Sequence, residues 1–325
     1  MRELSMSAAI REAINQILRE HPESILMGED IGVYGGAFKI SAGIVEEFGP
    51  DRVIDTPISE AGIVSIATGA ALMGSHPIVE IMFMDFMLLA CDGLINIAAK
   101  WQEIYGDEFS IPLIIRTPAG GGRAYGPTHS QSFEGLLLNV PNLVICCPSN
   151  PGDAAALLLG AYDLGTTVVF VEHKALYARK GPVAEPLTAL PIGSACVVRS
   201  GSDVSLISYG RHVSAALRAA EQLAAEEIAA EVIDLRTVKP MDTTVVLESV
   251  AKTGRGISIE ESPVIGGVGS ELAAVVMEGA FENLEAPFTR LGAAEQAIPC
   301  SPELEQHCFP NAERIVAKAR ELVAY

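Results

Sequence analysis

Glu60 is the residue of this sequence whose type and position point most directly to chemistry. It stands at the start of a helix predicted to begin near Ser59, after the β-branched strand 52–55 and the turn marked by Pro57. From Ala61 to Ser75 there is no ionisable side chain, and a helix that is apolar on every face is normally buried on every face. The helix dipole favours a carboxylate at this end, whereas burial raises the pKa of a carboxyl group. Glu60 is therefore a candidate for proton transfer, and the alternative is an ordinary first-turn glutamate.

His129 is a second candidate. It lies in the polar segment Gly126–Ser132, beyond the predicted strand 111–116. Proteins with alternating strands and helices bind ligands in loops at the carboxyl edge of a parallel sheet, so this histidine could belong to a site there. The alternative is a solvent-facing loop histidine.

The remaining motif-like features indicate structure and not chemistry. Glycine-rich loops occur at 120–122 and 266–269, but neither is followed by the Lys-Ser/Thr of a P-loop and neither completes GxGxxG. We expect both to be tight turns. The six cysteines show no CxxC pair and no metal-ligand spacing with histidine, and most lie in apolar runs, so we expect reduced, structural thiols.

The composition excludes some classes of partner. With 22 Lys and Arg against 41 Asp and Glu, the formal net charge is −19, so the chain lacks the basic clusters that a nucleic-acid-binding protein needs. Hydrophobic residues make up 49% of the sequence and charged residues only 19%. Together with a mean hydropathy of +0.33, this predicts apolar surface that is covered by another chain.

The order of predicted elements indicates an α/β fold of two domains. Apolar strands alternate with helices in both halves, which is typical of parallel sheets covered on both faces. Three prolines interrupt the stretch 179–194, so we predict a first domain at 1–180, a linker at 181–194 and a second domain at 195–325. The N-terminus is an amphipathic helix and not a signal peptide, and no apolar run reaches the length of a membrane span. We therefore expect a cytoplasmic protein.

Seven segments follow one another along nearly the whole chain: DTPISEAGIVSIATGAALMG, VEIMFMDF, GPTHSQSFEG, VFVEHKALY, SLISYG, EVIDLRTVKPMD and AKTGRGISIEES. They resemble the beta subunits of the thiamine-diphosphate-dependent decarboxylase component of 2-oxo acid dehydrogenase complexes, in the pyruvate, branched-chain and acetoin versions. This resemblance implies a pyrimidine-binding domain followed by a transketolase C-terminal-like domain. The implied order agrees with the two predicted domains.

The resemblance also implies roles for five residues. Glu60 corresponds to the glutamate that hydrogen-bonds the aminopyrimidine ring of thiamine diphosphate and exchanges a proton with it. Ile58, Met82 and Phe86 correspond to residues that line the pyrimidine, Phe86 by stacking. His129 corresponds to the histidine that steadies anionic intermediates and assists acyl transfer to a lipoyl group.

The other half of such a cofactor site is missing from the sequence, because no GDG motif occurs in it. The resemblance therefore implies that a separate alpha subunit binds the diphosphate and its magnesium, in an α2β2 assembly that serves a lipoyl acyltransferase core, and we expect no metal ligand from this chain. The chain departs from its relatives at Leu164 and Thr166–Thr167, where many of them have an acid and an Asn-Pro near a monovalent-ion site. At the position of Met82, the branched-chain relatives tend to carry a glutamine and the pyruvate and acetoin relatives a methionine, and the surrounding segment EIMFMDFM is most like the acetoin type. The resemblance therefore implies a small substrate. The alternatives are an acetoin or branched-chain dehydrogenase beta subunit, a two-chain transketolase-type transferase, and a non-catalytic scaffold.

Overall fold

The computed structural model describes residues 2–106 and 110–325. The chain forms two compact units, the first containing Met1–Ala119 and Asn139–Ile192 and the second containing Gly120–Leu138 and Gly193–Tyr325. The domain boundaries at 180 and 195 remain a prediction, and the structure adds that Gly120–Leu138 groups with the second unit. This segment carries His129.

The first unit is built on a parallel sheet. Its strands are β1 (Arg2–Ser5), β2 (Ser24–Gly28), β3 (Val53–Asp55), β4 (His76–Glu80), β5 (Leu113–Ala119), β6 (Val144–Cys146), β7 (Thr167–His173) and β8 (Lys180–Val183). Six of them pair in parallel in the order β6, β7, β5, β4, β2, β3, whereas β1 and β8 form a separate antiparallel pair. Most side chains of the parallel strands are buried, which accounts for their continuous apolar sequences.

The helices of the first unit pack around this sheet and against one another. They are α1 (Met6–Glu20), α2 (Ile44–Phe48), α3 (Glu60–Leu72), α4 (Met87–Cys91), α5 (Trp101–Tyr105) and α7 (Pro151–Asp163), while α6 (Glu134–Leu137) belongs to the second unit. Helix α1 is capped by Ser5, whose hydroxyl accepts a hydrogen bond from the Ala8 amide, and it buries Ile10, Ile14 and Ile17. The predicted amphipathic N-terminal helix is thus confirmed.

Helix α3 differs from the expectation that it is buried on every face. The face with Glu60, Val64 and Ala67 is buried, but Ile66 on the opposite face is 64% exposed and Met73, just beyond the helix, is 87% exposed. The reason is that the sheet and the helical segment 87–97 cover only one side of the helix. The other side is an apolar surface with no neighbour among the described residues.

The second unit has a five-stranded sheet in the order β14, β13, β10, β11, β9, in which only the edge strand β9 is antiparallel. These strands are β9 (Cys196–Arg199), β10 (Val204–Ser208), β11 (Ala230–Asp234), β13 (Gly256–Pro263) and β14 (Thr289–Ala293), and the unit also contains β12 (Thr237–Lys239). Its longer helices are α8 (His212–Ala224), α9 (Thr243–Thr253), α10 (Val268–Gly279), α11 (Pro302–Cys308) and α12 (Ala312–Val323). The α/β class with two parallel-type sheets is therefore confirmed. Within residues 2–106 and 110–325, no helix has the length and apolar character needed to cross a membrane.

Candidate active site

The carboxyl edge of the sheet in the first unit brings together four of the five residues predicted to form a site: Ile58 and Glu60 after β3, and Met82 and Phe86 after β4. Strand β2 lies between β3 and β4, and its last residue, Gly28, is in register with Asp55 and Glu80, the last residues of its neighbours. Because parallel strands end at the same edge, the segments that follow β3 and β4 both start there. This is the edge at which α/β proteins place ligands.

Glu60 and Glu29 are two buried carboxyl groups at this edge. Glu60 is the first residue of α3 and is 5% exposed, and Glu29, directly after β2, is 7% exposed. Burial, followed by the charges of Glu60 and Asp30, raises the pKa of Glu29 above its ordinary value. Glu29 Oε1 is buried and has no hydrogen-bond partner among the described residues. Glu29 therefore favours its protonated form more than an exposed glutamate does, close to the start of α3.

Glu29 is a site residue that sequence reasoning missed. The only local signal is its position immediately after a buried strand, within the acidic stretch Gly28-Glu29-Asp30. The loop that carries it is held by Asp55, whose Oδ1 accepts a hydrogen bond from the Gly32 amide at 2.7 Å. A Cβ atom at Gly32 would lie 2.4 Å from Asp55 Oδ2, so the loop can approach β3 this closely only with glycine at that position.

Apolar side chains lie beside the acid pair. Ile58 is 83% exposed, and Met82 and Phe86 are half-buried. The ring of Phe86 is held edge-on by Phe83, with the two centroids 5.6 Å apart, and Phe83 in turn carries Lys174 Nζ over its face at 5.2 Å. Phe86 is thus fixed from one side, and together with Ile58 it offers apolar surface for packing against a flat ring.

Arg116 is the centre of a buried ion network at the same sheet edge. Its side chain is fully buried and makes two hydrogen bonds to the Glu172 carboxylate, at 2.7 and 2.8 Å, and a third to Glu80 at 2.8 Å. Burial lowers the pKa of this guanidinium, but the two glutamates outweigh that effect and raise it above its ordinary value. Tyr177 donates its hydroxyl to Glu172 at 2.8 Å. The network ties the middle of β5 to the last residues of β4 and β7, and sequence reasoning missed it.

His129 is in the second unit and is half-buried. Its Nδ1 lies 3.0 Å from the hydroxyl of Thr128, and its amide donates to the carbonyl of Gly126. The segment Gly120–Leu138 therefore presents the histidine on a hydrogen-bonded turn. Ser130, the next residue, is buried, which places the two side chains in different surroundings.

Glutamates close both glycine-rich loops of the second unit. The Gly121 amide donates to Glu261 at 2.6 Å, and the amides of Gly122 and Ala124 donate to the two oxygens of Glu305, each at 2.9 Å. At the start of α10, the amides of Val268 and Gly269 donate to Glu260 at 2.8 and 2.9 Å. These amides are directed at carboxylates of the protein itself, as expected for structural turns and not for phosphate loops.

Glu134 anchors the other end of the segment that carries His129. It begins α6, is 3% exposed, and has an Oε2 atom with no hydrogen-bond partner among the described residues. Burial, followed by the charges of Glu261 and Glu260, raises the pKa of Glu134 from 4.5 to about 8. The next residue, Gly135, packs against the backbone of Gly266, because a Cβ atom there would lie 2.2 Å from the Gly266 carbonyl oxygen. The raised pKa thus favours the protonated form of Glu134, directly beside the contact of Gly135 with Gly266.

Two protein families match the two halves of the chain. The family described as "Transketolase, pyrimidine binding domain" matches residues 2–180, and "Transketolase, C-terminal domain" matches residues 193–315. Among solved structures, a chain described as "Split gene transketolase, inactive beta4 tetramer" has a TM-score of 0.81 over 99% of this chain and 98% of its own length, at 23% identity. That likeness concerns the fold.

Curated relatives with known assignments cover almost the whole chain. The pyruvate dehydrogenase E1 component subunit beta-2 of Oryza sativa subsp. japonica is 40% identical over 98% of this chain and 86% of its own length. The acetoin:2,6-dichlorophenolindophenol oxidoreductase subunit beta of Bacillus subtilis is 39% identical over 99% and 98%. The 2-oxoisovalerate dehydrogenase subunit beta of the same species is 40% identical over 97% and 98%. The chain therefore belongs to the family of E1 beta subunits of 2-oxo acid dehydrogenases, which are built from a transketolase pyrimidine-binding domain and a transketolase C-terminal domain.

Proposed function

We propose that this chain is the beta subunit of a 2-oxo acid dehydrogenase component that decarboxylates a 2-oxo acid with thiamine diphosphate and passes the acyl group to lipoamide of a partner acyltransferase. The observation that carries the proposal is the buried Glu60 at the start of α3, next to the buried Glu29, in a chain of this family. An acid held away from water at a helix start can exchange a proton with a ring nitrogen without competition from solvent.

The residues at the sheet edge fit the pyrimidine half of the cofactor. Glu29 has a buried oxygen without a hydrogen-bond partner among the described residues, and Ile58 and Phe86 offer apolar surface beside the acid pair. Thiamine diphosphate, when bound, supplies the electron sink for cleavage of a bond next to a carbonyl carbon. Glu60 would hold and return a proton at the aminopyrimidine ring, Phe86 would stack on that ring, and Ile58 and Met82 would exclude water from it.

Binding of the diphosphate and magnesium is assigned in this proposal to an alpha subunit. Within residues 2–106 and 110–325, no group of three or more His, Cys, Asp or Glu side chains is arranged to hold a metal ion. The exposed Ile58, Ile66 and Met73 supply apolar surface of the kind that an obligate partner covers. This apolar surface supports a partner subunit, and we infer an α2β2 assembly in which each cofactor is shared between an alpha and a beta subunit.

The choice of substrate rests on Met82. Relatives assigned to pyruvate, acetoin and 2-oxoisovalerate are about equally similar to this chain, so overall identity favours none of them. Met82 is half-buried and lies two residues after the end of β4. A thioether packs against apolar groups but lacks the hydrogen-bonding capacity of an amide. We infer a small substrate, pyruvate or acetoin, before a branched-chain 2-oxo acid.

Co-expression with an alpha subunit tests the proposal. The heteromer is expected to reduce an artificial dye with a 2-oxo acid or acetoin only when thiamine diphosphate and magnesium are present, and the beta chain alone is expected to be inactive. Addition of purified lipoyl domain should produce acylated lipoyl groups. Transfer to a sugar aldehyde but not to a lipoyl domain would instead identify a two-chain transketolase, the alternative raised by the split-gene transketolase fold. A heteromer that binds no thiamine diphosphate would leave only a scaffold role.

A further inference from the structure

A cavity of about 180 Å³ lies in the second unit, where helices α8 and α12 begin. One side is formed by Arg211, Ser214 and Arg218, from the start and first turns of α8. The other side is formed by Phe309 and Asn311, which lead into α12. Since one water molecule takes up about 30 Å³ of liquid, a cavity of this size has room for about six waters or for one small ligand.

The charge of the cavity is opposite to that of the protein. Arg211 and Arg218 line it and no acidic side chain among the described residues does, although the chain carries a formal net charge of −19. In the part of the chain that the structure describes, Arg218 forms no ion pair, and its Nη1 makes only a long 3.5 Å hydrogen bond to Ser214 Oγ. An anion would therefore meet a guanidinium whose charge no carboxylate neutralises.

Two acids of this part of the unit, Glu261 and Glu305, are held by backbone amides. Glu261 accepts a hydrogen bond from the Gly121 amide at 2.6 Å and lies 2.9 Å from His212 Nε2, while Arg211 Nη1 is farther from it, at 3.9 Å. Glu305 accepts from the amides of Gly122 and Ala124. Both carboxylates are thus engaged by backbone amides, and only the more distant approach of Glu261 competes for Arg211.

Two helix dipoles add to this positive potential. Helix α8 has 13 residues and begins after Arg211 without a side-chain cap, and α12 has 12 residues and begins after Asn311. Each helix places the positive end of its dipole at the cavity, where it favours a negative charge. Asn311 uses its Oδ1 to cap the Arg314 amide at 2.9 Å, which leaves the amide nitrogen of its side chain as a possible donor.

We propose that this cavity binds a small phosphate-type anion, either free phosphate or the phosphate group of a metabolite. Two arginines and the side-chain amide of Asn311 provide donors from several directions, which suits the several oxygens of a tetrahedral phosphate better than a planar carboxylate. The apolar ring of Phe309 forms a wall that restricts the size of the ligand. The proposal is independent of the function proposed above, since it uses none of the site residues of the first unit and not His129.

Arg218 is the residue with which to test the site. Arg211 is less suitable, because its Nη1 would lie 2.6 Å from a Cβ atom at Gly122 and its guanidinium lies over the Phe309 ring, so its removal would disturb the packing of the glycine-rich segment. Arg218 is exposed, and Arg218→Gln should leave the fold intact. Arg199→Gln is the matched control. It removes the same charge from the same unit, and Arg199 does not line the cavity.

The measurement is isothermal titration calorimetry of the full chain, in the assembly in which it purifies. The titrants are inorganic phosphate, glycerol phosphate and malonate, and sodium chloride keeps the ionic strength constant. Saturable binding of phosphate is expected, and Arg218→Gln should weaken it by about tenfold or more, since a hydrogen bond to a charged group contributes about that much. Arg199→Gln should bind like the wild type. If glycerol phosphate binds at least as tightly as inorganic phosphate, the natural ligand is the phosphate group of a metabolite. If inorganic phosphate binds more tightly, the natural ligand is the free ion. Tighter binding of malonate, no saturable binding of phosphate, or equal affinity in wild type and Arg218→Gln would each overturn the proposal.

Discussion

Replacement of Glu134 by glutamine should make the stability of the protein less dependent on pH. The carboxyl group is buried in the second unit close to Glu260 and Glu261, and its pKa is raised from 4.5 to about 8. The folded protein therefore retains this proton over a pH range in which the unfolded chain has lost it. Glutamine has nearly the same shape as the neutral acid but cannot ionise, so it should preserve the contact of α6 with Gly266 and remove the titration.

The sign and size of the effect follow from linkage. Between pH 4.5 and about 8 the folded state binds more protons than the unfolded state at this group, so its contribution to the free energy of unfolding falls as pH rises. The slope is about 1.4 kcal/mol per pH unit, and the difference of 8 − 4.5 = 3.5 units gives a total on the order of 5 kcal/mol. Relative to wild type, Glu134→Gln should gain this stability progressively across the interval, and the gain should level off above the folded-state pKa.

Urea unfolding of both proteins at a series of pH values measures this difference directly. Glu248→Gln on the exposed face of α9 is the matched control, and its difference from wild type should change little with pH. A constant difference between Glu134→Gln and wild type over the whole interval would refute the reasoning. It would mean that Glu134 is ionised in the folded protein at neutral pH and that the contact with Gly266 does not depend on its proton.

Four further substitutions test the site of the first unit and the segment that carries His129. In the heteromer, Glu60→Gln should leave assembly intact and lower dye-reduction activity by ~10²–10⁴-fold, because the amide cannot exchange the proton; activity within a few-fold of wild type would reduce Glu60 to a helix-entry residue. His129→Ala should lower acyl transfer to a lipoyl domain at least as much as dye reduction, and an unchanged overall rate would contradict its assignment. Arg116→Met should lower the free energy of unfolding by about 3–5 kcal/mol, because it leaves Glu80 and Glu172 buried without their cation; a loss below about 1 kcal/mol in urea unfolding would count against the network. Relative kcat/KM of the wild-type heteromer should favour pyruvate or acetoin over 3-methyl-2-oxobutanoate, whereas a preference of ~10–200-fold for the branched acid would overturn the inference from Met82; Met82→Gln should shift the ratio towards that acid.

The sequence determined those features that depend on neighbours along the chain. The apolar strands and their alternation with helices predicted two parallel-type sheets, because strands buried on both faces need continuous apolar residues. The position of Glu60 at the start of a helix was also predicted from its neighbours along the chain, because a charge-free run follows it directly and the turn at Pro57 precedes it. The structural turns at the two glycine-rich loops were also predicted from local motifs.

Only the tertiary structure decided which distant groups meet. Glu29 and Glu60 follow different strands and become a buried pair because β2 and β3 are adjacent in the sheet. Arg116 meets Glu172 from a position 56 residues away, through the pairing of β5 with β7. The glycine amides at 121 and 122 receive carboxylates from β13 and α11, and so Gly120–Leu138 groups with the second unit. A buried charge or a buried backbone amide is stable only when it has a hydrogen-bonding partner. The packing of whole strands and helices determines which group is that partner, and no local pattern in the sequence specifies this packing.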